Sequence, residues 1–206
     1  MTTERQGEHR PFEYEEIWLA KSDGSQAPRF LARGGWPNWA ADSRRVYYHS
    51  RAENKMYCIP IDAKGDERRE VLECMDMFPT ISPDEKYVAT MTTDATLQIV
   101  DLSSRAAVPG WPGPADKQQL FLNWSPDGSK LSVGCYFGGG LWLYDFQKRE
   151  ASKILDGSFA WCSWSGPDRS RMAVEKVYSQ WHHEIWLIQS DPGTPTTPEK
   201  RIIQDQ

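Results

Sequence analysis

The densest run of side chains able to do chemistry is Trp181-His182-His183-Glu184, the one place where two histidines and a carboxylate adjoin. Read as a metal site, it would use His182 and Glu184. On an extended chain successive side chains point to opposite faces, so His183 diverges from both. No third ligand falls at a useful spacing, and three or four are needed to hold a metal, so no metal is expected. The other carboxylates that stand out are Asp42, Asp84, Asp127 and Asp168, each in a turn-forming context such as Ser-Pro-Asp-Gly. An Asx side chain there bonds its own backbone, and a structural role is expected for all four. The cysteines Cys58, Cys74, Cys135 and Cys162 are far apart with no CxxC, which predicts neither a zinc knuckle nor a redox pair. Cys58 and Cys135 fall in strand patterns and are expected as small buried hydrophobes. The sequence carries no GxSxG elbow, phosphate loop, HExxH or dinucleotide fingerprint. No catalytic residue and no cofactor is predicted.

The elements that must position these residues are copies of one another. Phe121 to Lys148, FLNWSPDGSKLSVGCYFGGGLWLYDFQK, alternates short β-branched and aromatic runs with Pro and Gly turns, the pattern of consecutive antiparallel strands. Its first-strand anchor, Trp124, recurs as Trp39, Ile81 and Trp164, at successive spacings of 42, 43 and 40 residues. Three residues before each anchor stands another aromatic: Trp36, Phe78, Phe121 and Trp161. These share the phase of the core, which predicts packing between repeats rather than a stacking ladder for a ligand. Second-strand anchors are Val46, Val88, Leu131 and Met172, and Gly166 inserts one residue in the last copy. Third strands begin at Met56, Leu97, Leu141 and Ile185, and fainter fourth strands follow in RREVLEC, RAAVPGW, ASKILDG and KRIIQDQ.

A period of about 40 to 45 residues with four short strands is that of a β-propeller blade. The expected fold is all-β: a half blade at 12–32, then four four-stranded blades at roughly 33–74, 75–115, 116–156 and 157–206, in one propeller domain that forms part of a larger propeller or associates through its open flanks. No helical period appears.

Charge narrows the partners. A net charge of −5 with pI near 5.4 and no basic block argues against nucleic acid, which needs clustered Lys and Arg. The N-terminal run MTTERQGEHRPFEYEE has no apolar core, so neither a secretory signal nor membrane insertion is expected. As encoded, this predicts a cytoplasmic protein.

The aromatic, Ser-Pro-Asp-Gly, short β run and closing Asp of FLNWSPDGSKLSVGCYFGGGLWLYD resemble the TolB-type, WD-repeat-like propeller repeat, and FPTISPDEKYVATMTTDATLQIVD nearly matches it. The first copy departs by Ala41 and Ser43, the last by Gly166. The resemblance implies a binding scaffold: an interaction module, a component of an envelope complex, or an appendage to a peptidase or regulator. In such a fold the loops joining second to third strands share a face with the connections between blades. That face is expected to carry the binding residues Arg51, Lys55, Met77, Trp111, Trp181 and His182, with His182 in a loop. A protein partner is the expectation. The alternative is the propeller of a hydrolase or sugar lyase with a ligand site on the same face and His182 as its chemical group.

Overall fold

A computed structural model describes residues 15–74, 78–92, 94–109, 119–166 and 170–190 and the backbone of 200–203. The chain divides into two compact units, Met1–Glu73 and Cys74–Gln206. Every regular element among the described residues is a strand, and none is a helix long and apolar enough to cross a membrane.

In the N-terminal unit, β1 (Glu16–Leu19) and β2 (Arg29–Arg33) form a two-stranded sheet. It is followed by a four-stranded meander of β3 (Gly35–Trp39), β4 (Arg45–Ser50), β5 (Lys55–Pro60) and β6 (Arg69–Glu73). The C-terminal unit holds three more four-stranded meanders. The first comprises β7 (Thr80–Ile81), β8 (Tyr87–Met91), β9 (Leu97–Asp101) and β10 (Ala106–Ala107). The second comprises β11 (Leu120–Trp124), β12 (Lys130–Cys135), β13 (Gly140–Asp145) and β14 (Glu150–Leu155). The third comprises β15 (Ser158–Trp164), β16 (Arg171–Ser179), β17 (His182–Gln189) and β18 (Lys200–Ile203). Four antiparallel blades and an N-terminal two-stranded sheet make this an all-β protein of the propeller class.

The anchors of the repeat sit opposite one another in register. Trp39 pairs with Val46, Ile81 with Val88, Trp124 with Leu131 and Trp164 with Met172. The last pair is kept despite the extra residue contributed by Gly166. All four second-strand anchors are buried, each a side chain whose burial contributes about 1.5–3 kcal/mol. The core lies between successive sheets. Ile17, Leu31 and Ala32 pack on Val46, Tyr48 and Ile59; Ala89 and Ile99 on Leu120, Leu122 and Tyr144; Leu141 and Leu143 on Phe159, Met172 and Ile188. All four cysteines are buried as free thiols.

The Asp turns are architectural. Asp42 accepts the Arg44 N–H and the Arg45 guanidinium; Asp84 accepts the Ser82 hydroxyl and the Lys86 N–H; Asp127 accepts the Ser125 hydroxyl and the Ser129 N–H. Asp168 lies outside the described residues. The residue after each of these three aspartates takes a left-handed conformation: Ser43 (φ 55°), Glu85 (φ 59°) and Gly128 (φ 72°). Only Gly adopts this without steric cost.

Candidate functional site

The side chains best placed to recognise something lie on the inner strands and hairpin tips of the C-terminal unit. Their placement starts from an absence, the missing side chain of Gly134. This glycine is the cross-strand partner of Phe121 on β12. A Cβ there would lie 2.3 Å from the Ala160 carbonyl oxygen and 3.1 Å from that of Phe159. Glycine therefore lets the backbone of β15 lie directly on the preceding blade. β15 is irregular at that point, its register against β16 shifting between Phe159 and Cys162. A bulge bends the strand and re-aims a side chain, and the residues within it are Ala160 and Trp161.

Trp161 meets two rings that occupy the same repeat position in the other two blades. Its ring centroid is 4.8 Å from Phe121 at 69° and 5.3 Å from Phe78 at 90°, while Phe78 and Phe121 are 5.0 Å apart. Edge-on geometries of this kind are the preferred ones for aromatic pairs. Packing between blades thus accounts for Phe78 and Phe121, which are buried. It accounts only partly for Trp161, which keeps 43% of its surface exposed. The aromatic run continues through Tyr136, 5.9 Å from Phe121, to Phe137, 5.0 Å further on. Phe137 stands at the β12–β13 tip with 72% of its surface exposed.

The β16–β17 hairpin carries the second group. Trp181 is at its tip, 86% exposed. His182 does not lie in a loop as the sequence predicted: it is the first residue of β17, opposite Ser179. β16 and β17 are the longest strands described, so the ladder runs further out than in the other copies and takes in His182, His183 and Glu184. Those side chains alternate as expected of a strand. His182 Nε2 is 3.5 Å from Glu184 Oε1, whereas His183 Nδ1 is 2.6 Å from Glu175 Oε1. Glu184 is buried, and its Oε2 accepts the Tyr178 hydroxyl at 3.0 Å and the Trp186 indole N–H at 2.9 Å. The Tyr178 and His182 rings are 4.8 Å apart. Lys176, opposite Glu184 in the ladder, instead donates to the Asp156 carbonyl oxygen at 3.1 Å and stands 4.3 Å over the Phe159 ring. Burial there pushes its amine below the usual lysine value, against the pull of Asp156. Among the described residues no three His, Cys, Asp or Glu side chains converge as metal ligands.

Arg51 and Lys55 belong to the N-terminal unit, where they flank the β4–β5 turn. Lys55 is tied across the sheet to Glu70 at 2.7 Å, and that hydrogen bond raises its pKa. Arg51 is half-buried. Met77 and Trp111 lie outside the described residues. Phe137 and the Glu184–Tyr178 contact were not singled out from sequence. The triple glycine beside Phe137 marked the tip, but the partners of Glu184 depend on a hairpin length that the repeat does not predict.

No family model matches the sequence, and no curated protein does. Among solved structures, the chain superposes on TolB from Acinetobacter baumannii with a TM-score of 0.66 at 19% identity, covering 84% of this chain and 46% of that one. Hydrazine synthase from Kuenenia stuttgartiensis gives 0.63 at 12% identity, covering 98% and 53%, and a putative TolB from Agrobacterium tumefaciens 0.62 at 14%, covering 84% and 65%. The fold is that of a TolB-like β-propeller. The chain spans less than two thirds of the length of each of these structures.

Proposed function

We propose that the protein is a non-catalytic TolB-like propeller scaffold that binds a protein partner through the tips and inner-strand aromatics of its C-terminal unit. The observation that carries this reading is the exposure of Trp181, Phe137 and Trp161 on elements held by rigid sheets. Large aromatics left in solvent on a firm support are what interface cores select, because they bury much area at little cost in side-chain entropy. His182 and Tyr178 supply polar groups at the border of that surface, and Arg51 and Lys55 play the corresponding part in the N-terminal unit.

The reading is tested by affinity capture from the native source with the wild-type chain and the Trp181→Ala/Phe137→Ala double variant. The expected result is a specific partner retained by the first and lost by the second, at unchanged melting temperature, since exposed substitutions stay within about 0.5 kcal/mol. Equal capture by both would refute it.

One observation favours the second reading, a hydrolase or lyase propeller. Glu184 is a buried carboxylate in contact with a tyrosine hydroxyl and near His182, a set able to hold and pass a proton. It predicts turnover of an ester or glycoside substrate that Glu184→Gln abolishes. Absence of turnover across such a panel would remove it.

A further inference from the structure

The N-terminal unit contains a cleft of about 600 Å³ at the junction of its two sheets, within the range of small-molecule sites. Its floor is apolar: Leu31, Ala32 and Ile59, with the buried ring of Tyr48. Burial raises the Tyr48 phenol to about 12, with Arg68 pulling the other way, so this hydroxyl stays protonated at any physiological pH. One wall is aromatic. Trp18 and Phe30, paired across β1 and β2, meet edge to face at 5.9 Å, and each leaves about half of its surface in solvent.

The rim carries four charges, of which one pair is internally satisfied. Arg68 binds Asp66 at 3.0 Å and Glu53 at 3.1 Å while its guanidinium lies 4.5 Å over the Tyr57 ring. The other pair is Glu16 and Arg33, which are direct cross-strand partners on β1 and β2. Opposite charges in that relation usually find each other, yet these form no ion pair. Glu16 takes the Trp18 indole N–H instead, at 3.1 Å, and the Arg33 guanidinium has no hydrogen-bond or ion-pair partner among the described residues. A carboxylate with one oxygen taken by Trp18 and a guanidinium with no side-chain partner among the described residues therefore stand on neighbouring strands beside an aromatic wall.

We infer that this cleft binds a zwitterionic α-amino acid with an aromatic side chain, the ammonium on Glu16, the carboxylate on Arg33 and the ring against Trp18 and Phe30. A guanidinium suits a carboxylate because two parallel N–H groups can face its two oxygens. The ligand's own ammonium and carboxylate present each of these two side chains with a charge of opposite sign. The site is independent of the interface proposed above and uses none of its residues.

The test is calorimetric titration of the full chain with L-phenylalanine, 3-phenylpropionate and phenethylamine, on wild type and on Glu16→Gln, Arg33→Gln and Trp18→Ala. Saturable binding of L-phenylalanine is expected. Each single-charge analogue, and each of Glu16→Gln and Arg33→Gln, should bind about fivefold more weakly, the scale of one exposed charge contact. Trp18→Ala should weaken all three ligands together. Thermal melting of each variant verifies that it is folded, and the two Gln variants, being changes at exposed rim positions, keep the test valid should Trp18→Ala unfold. No saturable binding up to roughly 10 mM, or equal binding of the analogues and the zwitterion, overturns the inference.

Discussion

The turn aspartates that the sequence marks as structural fasten their own backbone, as does Asp101 at the end of β9, and their energetics can be measured. Asp42, Asp84 and Asp101 are all held below the usual carboxylate value of 3.8. For Asp101 the largest cause is the Ser103 hydroxyl, followed by the Ser104 N–H; for Asp84 burial pushes upward but is outweighed by hydrogen bonds from Ser82 and Lys86. A depressed carboxylate contributes stability that is complete above its unfolded value and is lost as the pH falls through its lower folded one. The melting temperature should thus drop as the pH is lowered below about 3.8. Asp101→Asn, which keeps an acceptor but cannot titrate, should make that drop shallower; identical pH profiles would show that these turns are not what acid attacks. The neighbouring backbone gives a prediction of opposite sign. Glu85→Gly should stabilise the fold by about 0.5–1 kcal/mol and Gly128→Ala destabilise it by a similar amount, because both positions are left-handed. Chemical denaturation measures both changes.

At the scale of the element, the seating of one blade on the next rests on Gly134. Gly134→Ala would force a methyl group into two backbone carbonyl oxygens that cannot swing aside as a side chain could. The expected cost is about 1–3 kcal/mol, with a change in Trp161 fluorescence as the bulge moves off Phe121. An unchanged melting temperature and spectrum would disprove this account of the seating. The strands themselves were legible in sequence because anchor residues recur in phase, and each pairs with its predicted counterpart. The site was less legible for a reason of scale. Trp161 occupies the same repeat position as the buried Phe78 and Phe121, and only the local bulge in β15 turns it toward solvent. Similarly, His182 reads as a loop residue by the repeat and becomes a strand residue because this one hairpin is longer. Repeat phase reports what the copies share, while recognition depends on where one copy departs from the others.

For the whole molecule, the informative residue is Trp39. Its counterparts Trp124 and Trp164 send their indole N–H groups back to the first strand of the preceding blade, to the carbonyl oxygens of Thr80 and Asn123 at 3.3 Å each. The N-terminal two-stranded sheet offers no first strand among the described residues, and Trp39 is left 59% exposed. Beside it, β1 pairs only with β2 among the described residues, so one edge of a strand without Lys or Pro has no partner there. Open edges and exposed aromatics of this kind promote pairing with another chain. The polypeptide in isolation should therefore self-associate reversibly in sedimentation velocity as concentration rises. Trp39→Lys places a charge where the indole would be buried and should shift the equilibrium toward monomer with little change in melting temperature. Wild type that stays monomeric at every concentration would show that this flank is satisfied within one chain, and an unchanged equilibrium in the variant would place the contact elsewhere.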